Sequence, residues 1–123
     1  GAAELDLLKG RVVAFRVEGP IFFGAAERFI DQLLKVDQGI EIVVLRLRRV
    51  PVLDATGVTA LRAIHDRLGS RGIDLIISGL QPQPATVLKR TGVYDEITEG
   101  GRNDIALTEN AIAEAKRRLL AAS

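Results

Sequence analysis

The segment whose residue types and spacing best suit chemistry is Asp-Ala-Thr-Gly-Val, residues 54–58. It stands between an apolar strand-like run and a helix-like run, so it is expected at the carboxyl end of a strand, where open α/β sheets meet ligands and partners. Asp54 and Thr56 can accept hydrogen bonds from the first N–H groups of the following helix. The same N–H groups favour an anion. The spacing alone leaves two interpretations open, a helix cap with a glycine turn or a binding loop.

A second set of residues could contact phosphate. Arg46 and Arg48 lie on a predicted strand and Lys89 on a short predicted helix, and helix starts at Gly57 and near Pro84 would add attraction for anions. The sequence has neither a Walker lysine motif nor Gly-x-Gly-x-x-Gly. The basic residues keep nucleotide binding as an alternative, although the usual motifs are missing. If no nucleotide binds, these arginines form an exposed sheet face or an intramolecular contact.

Catalytic and metal chemistry find little support. The chain has no cysteine and one histidine, which excludes a thiolate zinc site, a cysteine nucleophile and any site with two imidazoles. The Asp-X-Thr-Gly pattern is similar to the aspartyl-phosphate loop of P-type ATPases, but Ala55 stands where that loop has Lys and Val58 where it has Thr. His65 has Gly69 four residues later instead of a second metal ligand. We therefore expect no enzyme activity, no catalytic residue, no metal and no required cofactor.

Length and composition indicate one globular domain. The chain has 123 residues, of which 47% are apolar, and 17 basic residues nearly balance 16 acidic ones. This balance disfavours a nucleic-acid-binding protein, and no apolar run approaches the ~20 residues of a membrane span. Residues 1–3, Gly-Ala-Ala, are interpreted as a cloning remnant, which leaves residues 4–123 as a single domain.

Apolar periodicity predicts an alternation of strands and helices. Strands are predicted at 12–18, 41–47 and 73–78, and helices at 25–36, 57–68, 85–90 and 104–120. Extended segments are predicted at 21–23 and 50–53, and an extended segment or short link at 93–97. This order predicts an α/β fold with a small, mainly parallel sheet of about four strands and four to five helices. Arg16, Arg46 and Arg48 share one sheet face, so we expect helices to cover the other face more fully.

Several segments, in order, resemble the STAS domain of the SulP (sulfate permease) family. They are Gly19–Ala26, Val44–Pro51, Val52–Val58, Ser78–Pro84 and Arg90–Gly92. The resemblance covers residues 12–97, and the four segments outside residues 52–58, which match in the right order, make it more specific than the Asp-Ala-Thr-Gly loop alone. It implies a STAS-type fold, like that of anti-sigma-factor antagonists.

The resemblance also implies a function. STAS domains of this branch are non-catalytic regulatory modules on the cytoplasmic side of inner or plasma membrane anion transporters. The expected partners are the transmembrane domain of the parent transporter, another cytoplasmic protein or a second STAS domain, and not nucleic acid. The resemblance assigns the partner or ligand loop to Asp54, Ala55, Thr56, Gly57 and Val58, and an adjacent loop to Gly79, Leu80, Gln81 and Pro82. In that loop, Gly57 would let another chain approach closely.

One residue departs from the antagonist branch of the family. Antagonists have a phosphorylated Ser directly after the loop Asp, and this chain has Ala55, which carries no hydroxyl. Thr56 keeps a hydroxyl at the next position. A free-standing anti-sigma-factor antagonist is therefore the alternative, beside a nucleotide-binding sensor.

Overall fold

The computed structural model describes residues 3–5, 11–18, 23–36 and 39–122. In chain order the elements are β1 (Ala3–Leu5), β2 (Val12–Glu18), α1 (Phe23–Val36), β3 (Ile42–Arg49), α2 (Ala55–Gly69), β4 (Asp74–Ser78), α3 (Pro82–Arg90), α4 (Val93–Thr98), β5 (Asp104–Ile105) and α5 (Thr108–Ala122). The predicted segment 21–23 falls mostly outside the described residues, and its last residue, Phe23, begins α1. The mainly parallel α/β architecture is confirmed.

The sheet has the strand order β1-β2-β3-β4-β5. Strands β2 to β5 run parallel, and β1 pairs antiparallel with β2. The two edge strands, with three and two residues, are too short for a periodic pattern, which is why about four strands were expected. Ala3, which was set aside as part of a cloning remnant, pairs with Phe15.

Alternation along β2 and β3 separates two apolar clusters. Residues such as Phe15 and Leu45 point to the larger cluster, which α1, α2, α3 and α4 cover. Residues such as Ala14 and Val44 point to a smaller cluster, which is closed by Ala111, Ala115 and Leu119 of α5. Within the described ranges, one helix therefore covers the second face and four cover the first, so the prediction that one face is more fully covered is confirmed.

Two predicted elements near the carboxyl terminus are corrected. Residues 93–97 were expected to be extended or to form a short link, but Val93–Thr98 form α4, in which Ile97 is fully buried. The last helix begins at Thr108 because Asp104 and Ile105 pair with β4 instead. Both differences from the prediction arise from contacts with elements distant in sequence, and local apolar spacing contains no information on such contacts.

An ion-pair network anchors α5. Nε of Arg118 lies 2.7 Å from Oε2 of Glu114, and its Nη1 donates to Oδ1 of the buried Asn103 at 2.8 Å. Arg117 donates to both carboxylate oxygens of Glu114 at 2.8 Å. Hydrogen bonds from Arg117 and Arg118 lower the pKa of Glu114 from 4.5 to about 2. The charged form of Glu114 is therefore favoured in the folded state.

We expect replacement of Glu114 by glutamine to lower the free energy of unfolding at pH 7. Because the folded-state pKa is depressed, the carboxylate stabilises the fold above pH 4.5, and this contribution is lost as the pH falls towards about 2. Chemical denaturation of both proteins across this range measures it. A stability difference that stays constant between pH 4.5 and pH 2 would contradict the assignment.

Candidate functional site

Asp54 caps the amino terminus of α2. Its Oδ1 accepts a hydrogen bond from the Gly57 N–H at 2.9 Å, and its carbonyl accepts from the Val58 N–H at 3.0 Å. Its backbone is extended, as is usual for a capping residue. The hydroxyl of Thr56 makes no hydrogen bond with any residue that the structure describes, so Asp54 alone provides the side-chain cap.

Gly57 is required by a close approach within the chain. A Cβ atom at this position would lie 2.4 Å from Cδ1 of Leu53 and 3.6 Å from Cδ2 of Phe23. Leu53 is almost fully buried, with 2% of its surface exposed, so it has little freedom to move away. Gly57 was expected to let another chain approach closely. In the structure, the group that lies close to Gly57 is the side chain of Leu53 from the same chain.

The adjacent loop is held against the end of β3. Gly79 has φ +70°, and a Cβ atom there would lie 2.8 Å from Cβ of Arg48. Gln81 crosses the same gap, since its Nε2 donates to the Arg48 carbonyl at 2.8 Å. The loop at residues 79–82 is therefore positioned by the close approach of Gly79 to Arg48 and by the hydrogen bond from Gln81 to the Arg48 carbonyl.

Gln83, whose role was not predicted from the sequence, completes this connection. Its Oε1 accepts from the Leu53 N–H at 2.8 Å, and its Nε2 donates to the Leu53 carbonyl at 3.2 Å. One amide group thus satisfies both backbone groups of the residue before Asp54. No pattern around Gln83 distinguishes it from a solvent-facing glutamine near a helix start, so only the fold reveals its role.

The result is a fixed, exposed loop beside a groove. Asp54, Ala55 and Thr56 are exposed, whereas Gly57 and Val58 are buried. A groove of about 620 Å³ lies between the starts of α1 and α2, and its lining residues are Phe23, Gly24, Glu27, Asp54, Thr56, Gly57, Thr59 and Ala60. Of the five predicted loop residues, the first three are accessible to a partner and the last two support them.

The structure separates the three predicted anion contacts. Arg46 and Arg48 line a second cavity, on the face that α5 covers. Lys89 lies at the end of α3, where its ammonium is 4.9 Å from the centre of the Tyr94 ring. The Tyr94 hydroxyl donates to Oδ2 of Asp104 at 2.6 Å, and this hydrogen bond is the main cause that raises the pKa of Tyr94 to about 12. Lys89 is therefore part of a structural contact and does not line the arginine cavity.

His65 is half-buried on α2, and it has acidic neighbours. Its Nδ1 lies 3.1 Å from Oδ1 of Asp66, and potential ligand atoms of His65, Asp66 and Glu96 lie within 4.8 Å of one another. Arg62 donates to Glu96 at 3.2 Å, so a positive charge already neutralises one carboxylate. This pairing disfavours a cation at the cluster.

Comparison with known proteins identifies relatives over most of the chain. The model of the STAS domain family matches residues 8–115. The chain is 31% identical to "Putative sulfate transporter YvdB" of Bacillus subtilis over 70% of its own length, but it spans only 16% of that protein.

In the part of the chain that the structure describes, no helix is long and apolar enough to cross a membrane.

Solved structures agree with the family match. The STAS domain of a SulP transporter from Vibrio cholerae superposes with a TM-score of 0.83 at 30% identity, covering 93% of this chain and 88% of that one. A sulfate transporter family protein from Wolinella succinogenes gives 0.76 at 32% identity, covering 98% and 93%. The anti-sigma factor antagonist SpoIIAA, at 18% identity and 0.67, covering 94% and 96%, shares the fold. The chain belongs to the STAS domain family.

Proposed function

We propose that this chain is the cytoplasmic regulatory domain of a SulP-type inorganic anion transporter of the inner or plasma membrane. In this proposal residues 4–123 form one non-catalytic domain, which needs no cofactor. Its main partner is the transmembrane domain of its own parent, and another cytoplasmic protein or a second STAS domain is a further partner. Similarity to proteins named as sulfate transporters supports this proposal.

The observation that carries the binding proposal is the fixed geometry of the exposed loop at residues 54–56. The Asp54 cap holds the loop from the α2 side, and Gln83 holds Leu53 from the α3 side. A surface that is already ordered loses little conformational entropy when a partner binds. The loop therefore has the rigidity that a partner-binding surface needs.

The chemistry of this surface suits a partially apolar protein partner. Val52, with 52% of its surface exposed, and Ala55 present apolar groups, while Asp54 and Thr56 present a carboxylate and a hydroxyl. Leu80 of the adjacent loop is partly buried and packs against the larger cluster. An apolar centre with a few polar groups at its edge is the usual composition of a protein interface.

The antagonist alternative is less well supported. A phosphorylation switch needs a hydroxyl directly after the loop Asp, and this position holds the exposed methyl group of Ala55. The likeness to SpoIIAA concerns the fold and carries no statement about a kinase partner. We therefore retain the transporter domain as the proposed function.

We expect Ala55→Glu to weaken binding to the transmembrane domain of the parent transporter by at least about tenfold, because it places a charge at the centre of the proposed interface. An acidic residue in the first turn of a helix interacts favourably with the helix dipole and stabilises the helix, so the variant should remain folded. Binding is measured with the transmembrane domain in nanodiscs and the chain added in solution.

The matched control is Ala121→Glu, which places the same charge at an exposed alanine at the far end of α5. Binding of this variant should equal that of the unmodified chain. If both variants bind as the unmodified chain does, or if both are weakened equally, the loop is not the interface. Circular dichroism of both variants checks that the fold is retained.

A further inference from the structure

A cavity lined by arginines lies on the less covered face of the sheet. It has a volume of about 340 Å³, and its lining residues are Arg16, Arg46, Arg48, Arg49, Leu107, Thr108 and Glu109. These residues come from β2, β3, the start of α5 and the residue before it, so the cavity is separate from the loop at residues 54–58. We call it the arginine pocket.

Sheet register brings two of the arginines side by side. Arg16 and Arg46 are directly paired across β2 and β3, and like charges in such a pair repel each other. Glu18, on the same face of β2, relieves part of this repulsion. Its Oε1 lies 3.5 Å from Nε of Arg16 and 3.1 Å from Nη1 of Arg49. One carboxylate thus serves two guanidinium groups.

Two arginines that line the arginine pocket have N–H groups that make no hydrogen bond with a described residue. Nε of Arg16 is buried and makes no hydrogen bond within the described residues. The guanidinium of Arg48 is exposed and has no ion pair or hydrogen bond with any residue in the described ranges. The exposed Arg48 guanidinium therefore lacks an acceptor among the described residues, and an anion in the arginine pocket would supply one.

Charge and geometry together indicate the class of ligand. Four arginines and Glu109 line the arginine pocket, and Glu18 pairs with Arg16 and Arg49, so basic groups outnumber acidic ones among these residues. Guanidinium groups match the oxygens of a phosphoryl group in pairs, and the start of the 15-residue helix α5 adds a favourable dipole. We propose that the arginine pocket binds a dianionic phosphoryl group, either inorganic phosphate or a phosphate monoester. This inference is independent of the proposed interface at residues 54–58.

Titration of the isotope-labelled chain with sodium phosphate and with AMP, at constant ionic strength, tests the proposal by NMR. We expect saturable shifts of the Arg16 and Arg48 Nε–H signals and of the Thr108 and Glu109 amides, with a Kd on the order of 1 mM for phosphate. A lower Kd for AMP would identify an ester as the preferred ligand, and a higher Kd for AMP would identify the free ion. Equal shifts on titration with sodium chloride would overturn the proposal.

Two variants that should change the Kd for phosphate in opposite directions make this test more specific. Arg48→Gln should raise the Kd for phosphate about tenfold, because it removes one charged donor from an exposed position where folding is not at risk. Glu109→Gln removes a repelling carboxylate and should lower the Kd about threefold. The matched control is Arg90→Gln, at the exposed end of α3, which should leave the Kd unchanged. A Kd that responds equally to Arg48→Gln and Arg90→Gln, or does not respond to either, would contradict the assignment.

Discussion

Gly79→Ala is expected to lower the free energy of unfolding by about 2–4 kcal/mol, because two costs combine at this residue. Its φ of +70° lies in the left-handed region, which an alanine occupies only with strain. The added Cβ would also lie 2.8 Å from Cβ and 3.0 Å from Cα of Arg48. These are atoms at and beside the backbone of β3, so they cannot turn away as the end of a flexible side chain would.

Gly72→Ala is the matched control for this prediction. Gly72 has a φ of +71°, but nothing lies within 4 Å of an added Cβ. Only the conformational cost remains, so we expect a loss of about 1 kcal/mol. Urea denaturation of the two variants measures the difference, which isolates the contact with Arg48. Equal losses would show that the contact between the adjacent loop and β3 is looser than the structure describes.

The Gly79 variant also tests how the two loops are connected. The Arg48 carbonyl accepts the hydrogen bond from Gln81, so displacement of Arg48 would disturb that bond. We therefore expect amide signals at residues 53–58 to shift in Gly79→Ala and to remain in place in Gly72→Ala. Unchanged signals in both would mean that the two loops are positioned independently.

Leu61→Ala is expected to lower the free energy of unfolding by about 3 kcal/mol, within the usual range for a buried leucine. Leu61 is fully buried in the larger apolar cluster and belongs to α2, the helix whose start forms the candidate loop. Truncation removes apolar contacts and leaves a cavity between α2 and its neighbours. The helix should therefore be held less firmly against the sheet.

Leu120→Ala serves as the control, since 70% of Leu120 is exposed. Its expected effect is below about 0.5 kcal/mol. Thermal and urea denaturation measure both variants, and hydrogen exchange of the α2 amides should quicken only in Leu61→Ala. A loss below 1 kcal/mol in Leu61→Ala, comparable with a surface change, would mean that the larger cluster is not packed around this helix.

Local pattern was sufficient for the elements that carry a long apolar period. Strands β2 and β3 and helices α1 and α2 were predicted because alternation or helical spacing extends over seven or more residues in each. The Asp54 cap followed from residue type and position, since a capping bond joins residues three apart in sequence. The segments that resemble STAS domains were also legible in the sequence, and the family match agrees with them.

Only the tertiary structure decided which distant residues meet. Gln83 reaches Leu53 across 30 positions, and Arg16 faces Arg46 because of the register between two strands. Lys89 was grouped with Arg46 by charge alone, and the fold places it over Tyr94 instead. Apolar periodicity reports which side of an element is buried, but it carries no information on register or on which element lies opposite. The long apolar elements were therefore determined by sequence pattern, whereas the connection between the loops and the arginine pocket were decided by packing between elements.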